Sequence, residues 1–107
     1  MIKVSVIYPA GAGAKFDMAY YLTTHMPTVQ KKAGAALESI QVDEGLGGFP
    51  PGSPAPYLAM GHLVFESMDA FSAMFAAHGA WIQADMPNYT NTLPPMAQIA
   101  SLRFITS

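Results

Sequence analysis

His25 lies within MAYYLTTHMPTV, residues 18–29, an uncharged run of aromatic, apolar and threonine side chains. On a helical wheel of about 100° per residue, His25 falls in the middle of an apolar stripe. The stripe consists of Met18, Leu22, His25 and Val29, flanked by Tyr21 and Met26, whereas Tyr20, Thr24 and Lys31 are predicted to point away. Such an imidazole either fills the core with one hydrogen bond or serves a ligand as a neutral acid–base group whose pKa is lowered by desolvation. We take His25 as a candidate catalytic residue and Tyr21 as the residue that orients it.

Pro27 follows this histidine after one residue. Proline has no backbone N–H to donate to the carbonyl of Thr23, so the helix is predicted to bend or restart beside His25. A bend would open space next to the imidazole, where a ligand could lie.

A second helix repeats this pattern, with Phe71, Met74, Phe75 and His78 on one stripe. If both halves fold alike, the two imidazoles lie between helices and sheet near one cleft, although for His78 the pattern favours a core histidine with one hydrogen bond. Trp81, Asp85 and Tyr89 follow on a stretch broken by Gly79 and Pro87, which suits a pocket wall, a dimer-capping arm or an interface. The predicted ligand-binding residues are Met18, Leu22, Met26, Phe71, Phe75, His78, Trp81 and Tyr89.

Other signals for bound groups are weak. The chain has three histidines, none in an HxH or HExxH pair, and no cysteine, so a metal or haem at His25 is the weakest alternative and no metal site or cofactor is predicted. His62 alternates with Met60 and Val64 on a strand and is expected to be structural. The glycines of YPAGAGAKF lack the third glycine of the dinucleotide fingerprint and the Walker spacing, which favours a connector over a phosphate site.

Composition limits the class of protein. A chain of 107 residues is expected to form one domain, residues 1–107, since domains usually have roughly 100 to 200 residues. Only 11% of residues are charged, against about 25% in typical proteins, so we expect apolar surface to be buried in a homodimer. Without a basic stripe or an apolar run of about 18 residues, neither nucleic acid nor membrane is an expected partner. A cytoplasmic location is expected.

The order of elements predicts an α+β fold. Strands are predicted over residues 2–8, 37–44, 57–66 and 96–105, and helices begin at Asp17 and at Ser67 to Asp69. This order gives a ferredoxin-like βαββαβ subunit, with a four-stranded antiparallel sheet and both helices on one face. The other face is half polar, and because charge is scarce we expect it to meet a second sheet in a homodimeric α+β barrel.

The chain resembles the EthD family over nearly its whole length. The resemblance rests on FDMAYYLTTHMPTV after a VIYP strand, on FESMDAFSAMFAAHG, and on the family's aromatic, acidic residue, Tyr pair and His before Pro, here Phe16, Asp17, Tyr20 with Tyr21, His25 and Pro27. It implies the dimeric α+β barrel superfamily and a homodimer. Members are labelled reductases, or dehydratases of aromatic polyketides in some fungal relatives.

Two functional hypotheses follow. The first is a small enzyme, of oxidoreductase, isomerase or dehydratase type, that binds an apolar or aromatic metabolite between helices and sheet and uses His25 as acid, base or hydrogen-bonding group. The second is a non-catalytic binding or assembly module with structural histidines.

Overall fold

The computed structural model describes residues 1–106, which build one antiparallel sheet covered on one face by helices. The strands are β1 (Ile2–Pro9), β2 (Leu37–Glu44), β3 (Tyr57–Phe65) and β4 (Met96–Ser101), in the order β2-β3-β1-β4. All neighbouring pairs are antiparallel. This is the predicted ferredoxin-like βαββαβ arrangement.

The last strand is shorter than predicted. It ends at Ser101 and not at Ile105, because Ser101 pairs with Ile2, the first residue of β1. The amide of Leu102 still donates to the carbonyl of Met1, and the following side chains of Phe104 and Ile105 are strongly exposed. Apolar residues therefore continue along the sequence beyond the last residue of β4 that pairs with β1.

The first helical segment contains three pieces in direct succession. These are α1 (Met18–Tyr20), a π-helical turn (Tyr21–His25) and α2 (Met26–Ala33). Asp17 caps its start by accepting from the amide of Tyr20 at 3.0 Å, as the sequence predicts. Gly34 ends it with φ of 58°, in the left-handed region that glycine adopts without a steric penalty. We call residues 18–33 the first helix.

The second helix is α3 (Met68–Asp85), capped by Ser67, whose hydroxyl accepts from the amide of Ala70 at 3.1 Å. The prediction that Gly79 interrupts this helix is wrong, because the helix continues for six more residues. A Cβ built at Gly79 would lie 3.0 Å from the Phe75 ring, so glycine here makes room for that ring. A short 3-10 turn, Met86–Asn88, follows at Pro87.

The sheet has two unlike faces. Toward the helices it presents buried side chains of β1 and β3, which form the sheet's share of the core: Val4, Tyr8, Ala59, Leu63 and Phe65. The opposite face, here called the open face, carries a polar row that crosses all four strands: Gln41, His62, Ser5 and Gln98. No helix within residues 1–106 combines the length and the apolar character needed to cross a membrane.

His62 is held on the open face by two hydrogen bonds. Its Nε2 lies 2.9 Å from Asp43 Oδ2 and its Nδ1 lies 2.7 Å from Ser5 Oγ. A carboxylate only accepts, so Nε2–H donates to Asp43, while the Ser5 hydroxyl is hydrogen bonded to Nδ1. These bonds tie β3 to both β1 and β2.

Candidate functional site

The first helix widens into a π-helical turn at the histidine. The amide of Met26 donates to the carbonyl of Tyr21, five residues earlier, and Pro27 has no N–H to continue an α-helical ladder. The helix therefore continues past Pro27 with a wide turn and neither restarts nor breaks. This turn brings both Tyr21 and His25 into the core.

The wide turn also corrects two orientations that the helical wheel predicted. Leu22, expected on the buried stripe, is 49% exposed. Tyr20, expected to point away, directs its hydroxyl to Asp85 Oδ1 at 2.8 Å. A wheel of constant pitch fails here because the π turn, Tyr21–His25, adds a residue to the helical repeat and so changes the angular positions of the side chains in and beside it.

His25 forms a buried pair with Asp85. His25 Nδ1 lies 2.8 Å from Asp85 Oδ2, and the two residues are 3% and 7% exposed. The other carboxylate oxygen, Oδ1, accepts from the Tyr20 hydroxyl at 2.8 Å and from the Asn88 amide at 2.9 Å. Asp85 is the last residue of α3, so it links both helices through His25.

The pair fixes the protonation state of the imidazole. Burial lowers the pKa of His25, and the hydrogen bond to Asp85 only partly opposes this shift. Burial alone would raise the pKa of Asp85, but its hydrogen bonds from His25, Asn88 and Tyr20 outweigh burial and hold that pKa below its usual value. His25 is therefore neutral, with Nδ1–H donating to an ionised carboxylate and Nε2 unprotonated.

Two aromatic rings enclose the imidazole. Tyr21 stacks on one side with ring centroids 5.5 Å apart and an interplanar angle of 10°, and Trp81 stacks with centroids 5.7 Å apart at 16°. The ammonium group of Lys32 lies 5.1 Å from the Trp81 ring centroid. These contacts leave the imidazole little freedom to rotate, so the direction of Nε2 is fixed.

Three buried tyrosines continue the polar cluster from His25. Tyr89 Oη lies 3.5 Å from His25 Nε2 and 2.7 Å from Tyr8 Oη, and the rings of Tyr8 and Tyr21 pack edge to face with centroids 5.8 Å apart. Burial raises the pKa of all three phenols, so each keeps its proton at neutral pH. The hydroxyls of Tyr8 and Tyr89 thus form a hydrogen-bonded pair of neutral groups next to the base.

A cavity of about 340 Å³ lies between α3, the first helix and the β1–β4 side of the sheet. Its wall is apolar apart from a few groups, among which Tyr8, Tyr21 and His25 belong to the polar cluster just described. This volume falls within the range of roughly 300 to 1,000 Å³ of small-molecule sites. The remaining lining residues include Val6, Leu63, Phe65, Ile82, Gln83, Met86, Ala97 and Ile99.

A family model described as the EthD domain matches residues 11–92. The chain belongs to the EthD family. Among solved structures, an EthD-like protein of Ralstonia eutropha JMP134 is 40% identical, with a TM-score of 0.92 over 99% of this chain and 95% of that one. An ethyl tert-butyl ether D (EthD) family protein of Bacillus halodurans C-125 is 16% identical, with a TM-score of 0.64 over 96% of this chain and 99% of that one.

A third similar structure shares the fold at low identity. It is a dimeric ferredoxin-like protein of unknown function from Thermobifida fusca YX, 16% identical, with a TM-score of 0.61 over 94% of this chain and 90% of that one. No curated protein matches the sequence. Membership of the EthD family thus establishes the fold, whereas any chemistry depends on this chain's own residues.

The predicted site residues fall into three groups in the structure. Those that line the cavity are Tyr21, His25, Met26, Phe71 and Phe75. Trp81 and Tyr89 contact the His25 ring without lining the cavity. Met18, Leu22 and His78 do not line it, so the expectation that both helix histidines share one cleft is not met.

Tyr8 and Tyr20 were not predicted as site residues, and Asp85 was placed only on a stretch suited to a pocket wall, a dimer-capping arm or an interface, without a link to His25. Asp85 carried one usable signal, since it is an acid in the otherwise uncharged stretch AWIQADMPNY. A carboxylate in such surroundings is rarely buried without a partner. Nothing in the sequence pairs it with a histidine 60 positions earlier.

Gly61 on β3 provides the space that the buried tyrosine needs. A Cβ added there would overlap the hydroxyl of Tyr21 and lie 2.7 Å from Met26 Cε. We expect Gly61→Ala to lower the free energy of unfolding by about 1–3 kcal/mol, the usual effect of overpacking a core. Urea unfolding measures this, and Gly47→Ala in the exposed loop, where an added Cβ would make only an ordinary contact at 3.6 Å, is the control for a glycine replacement away from the core. A Gly61→Ala protein as stable as wild type would contradict the close approach.

Stability should fall on acidification because of His25. Its pKa is lower in the native protein than the ordinary value of about 6.5, so below that pH the unfolded chain binds a proton that the native protein does not. The contribution to stability is complete above about pH 6.5 and is lost as the pH falls toward the native pKa. Urea unfolding at pH 7.5 and 5.5 should therefore give a lower free energy of unfolding at pH 5.5.

The control for this pH effect is the same measurement on His25→Gln and His78→Gln. The loss between pH 7.5 and 5.5 should shrink in the first variant and persist in the second. Trp81, the only tryptophan, gives a direct readout, since a protonated imidazole stacked on an indole quenches its fluorescence. An acid-induced quench that survives in folded His25→Gln would show that another group titrates.

Proposed function

We propose that the chain binds a small, mainly apolar metabolite in the cavity and that His25 acts on it as a general acid–base group. The observation that carries this proposal is the buried His25–Asp85 pair, which meets an otherwise apolar cavity of ligand size. Burying a charged group such as the Asp85 carboxylate costs stability, so a buried carboxylate–histidine pair beside a cavity supports a functional role.

Proton transfer is the step for which these residues are suited. Nδ1–H donates to Asp85, which leaves Nε2 free to take a proton from a bound molecule. The carboxylate then stabilises the imidazolium that forms. An isomerase would return this proton to another atom of the substrate, a dehydratase would deliver it to the departing hydroxyl group, and an oxidoreductase would use the same pair for the proton that accompanies electron transfer.

The second candidate is a binding module in which His25 only stabilises the fold. The observation that favours it is the enclosure of the imidazole between Tyr21 and Trp81, because such stacking and the bond to Asp85 would stabilise the packing of the two helices. The two candidates differ in what removal of the imidazole does to a bound molecule.

Native mass spectrometry with thermal unfolding separates the two candidates. Wild-type protein, His25→Ala and the matched control His78→Ala are compared for small molecules that remain bound after purification. We expect an adduct on wild type and on His78→Ala that is absent from folded His25→Ala. Equal adduct on all three proteins, with only a lower melting temperature for His25→Ala, would support the binding module and overturn the acid–base role.

We also propose that two copies pair through their open faces to form a homodimeric barrel. Three observations support this partner: the charged fraction of 11% is low for a monomer's surface, the open face is half apolar, and the similar Thermobifida fusca protein is described as dimeric. The cavity lies on the other side of the sheet, so pairing would leave it accessible.

A further inference from the structure

We infer that the cavity takes an uncharged carbonyl compound bearing hydrogen on the carbon next to the carbonyl, and that Tyr8, Tyr89 and His25 interconvert its keto and enol forms. The inference rests on the proposed acid–base role of His25 and adds the substrate class and the route of the proton. It assigns Tyr8 as the hydrogen-bond donor to the carbonyl oxygen and Tyr89 as the link between Tyr8 and His25.

The cavity wall selects for a neutral ligand. None of its lining residues is Lys, Arg, Asp or Glu, so a charged ligand would be desolvated without an opposite charge. Its polar side chains are two phenols, one imidazole and Gln83. A ligand that is mostly apolar and has one hydrogen-bond acceptor matches this wall.

The phenols supply a donor for such an acceptor. Tyr8 lines the cavity, whereas its partner Tyr89 does not, and the 2.7 Å bond between their hydroxyls can run in either direction. In the direction Tyr89 to Tyr8, the proton of Tyr8 is free to point to a ligand's carbonyl oxygen. Burial keeps both phenols protonated, so Tyr8 is a donor at neutral pH.

Tyr89 connects Tyr8 to His25 behind the cavity wall. Tyr89 Oη lies 3.5 Å from His25 Nε2, a long contact of the kind that shortens when a ligand is bound. Tyr8 and His25, the two residues that Tyr89 connects, both line the cavity. A ligand that contacts both Tyr8 and His25 therefore meets an acid and a base, and Tyr89 lies where it can accept from Nε2–H once His25 has taken the ligand's proton.

The step balances without a cofactor or co-reactant. His25 Nε2 removes the proton from the carbon beside the carbonyl, the electrons of that C–H bond form the C=C bond, and the carbonyl π electrons move to oxygen. Tyr8 gives its proton to that oxygen, Tyr89 restores the proton of Tyr8, and the His25 imidazolium restores that of Tyr89. The product is the enol, and His25, Tyr8 and Tyr89 return to their starting protonation states.

The test uses 2-tetralone, a flat uncharged ketone, and tetralin, the hydrocarbon without its carbonyl. Binding is followed by Trp81 fluorescence, and proton transfer by the exchange of the hydrogens next to the carbonyl into D2O, seen by NMR. We expect wild type to bind 2-tetralone at least about tenfold more tightly than tetralin, and to accelerate exchange with a rate that rises with pH as His25 becomes neutral.

Three phenylalanine variants assign the tyrosines. Tyr8→Phe should abolish the preference for the ketone and slow exchange by about 100-fold, the usual effect of removing a donor to a developing oxyanion. Tyr89→Phe should keep the preference and slow exchange by about tenfold, since it breaks only the link between Tyr8 and His25. Tyr57→Phe, which removes a phenol outside the site, should change neither, and melting temperatures verify that all variants are folded.

The outcomes separate this inference from the proposed function. Equal affinity for tetralin and 2-tetralone, no binding of either, no accelerated exchange, or unchanged exchange in Tyr8→Phe would each overturn the carbonyl assignment. Exchange that is lost in His25→Ala but unchanged in Tyr8→Phe would leave the acid–base role of His25 standing. Accelerated exchange that persists in His25→Ala would overturn the proposed function itself.

Discussion

Replacing Asp85 with asparagine is expected to leave the protein folded and to lower His25-dependent proton transfer by about 100- to 10,000-fold, the range that general acid–base catalysis supplies. Asp85 only accepts hydrogen bonds, so it holds the proton of His25 on Nδ1 and keeps Nε2 free. An asparagine whose oxygen stays with Tyr20 and Asn88 turns its NH2 group toward His25. Nδ1 must then accept, the proton moves to Nε2, and the base is lost.

Two measurements on Asp85→Asn test this tautomer argument. The ¹⁵N chemical shifts of His25 distinguish an Nδ1–H from an Nε2–H imidazole, and exchange of 2-tetralone into D2O gives the rate of proton transfer. The matched control is Asp69→Asn, an exposed acid in the first turn of the same helix. An Asp85→Asn protein with Nδ1 still protonated and with an unchanged exchange rate would show that Asp85 does not position the base.

The order of strands and helices could be predicted because it depends on local patterns. Alternation in β1 and the caps at Asp17 and Ser67 are properties of neighbouring residues, and the structure contains all of them. The end of β4 could not be predicted in the same way, since it depends on where the partner strand begins. A continuous apolar pattern does not show that a strand has lost its partner.

The sequence predicted His25 as a site residue but did not predict its contacts with Asp85 and Tyr89. His25 was found because its own helix makes an imidazole in an apolar stripe conspicuous, and Pro27 indicated a distortion beside it. The form of that distortion, a π turn that exposes Leu22 and redirects Tyr20, depends on packing against α3 and the sheet. The partners of His25 lie 60 and 64 positions away, at Asp85 and Tyr89, and only the folded chain brings them together.

The second large effect is expected on the open face, where Ile7→Asp should convert a homodimer to a monomer. Ile7 lies on β1, an inner strand, and pairs with Met60 and Met96. In a face-to-face dimer each copy would place one new carboxylate in an apolar contact without a positive partner. Burial of such a charge costs several kcal/mol, so the dissociation constant should rise by at least about 100-fold.

Light scattering coupled to size-exclusion chromatography measures this change as a fall in mass from twice 11.4 kDa to 11.4 kDa. Leu22→Asp is the matched control, since it adds the same charge at an apolar side chain that is 49% exposed on the first helix, away from the open face. It should remain dimeric. Because the open face and the cavity lie on opposite sides of the sheet, the Ile7→Asp monomer should still bind 2-tetralone. A wild-type monomer, or a dimer that Ile7→Asp leaves intact, would mean that the scarcity of charge has another cause and that the open face meets water.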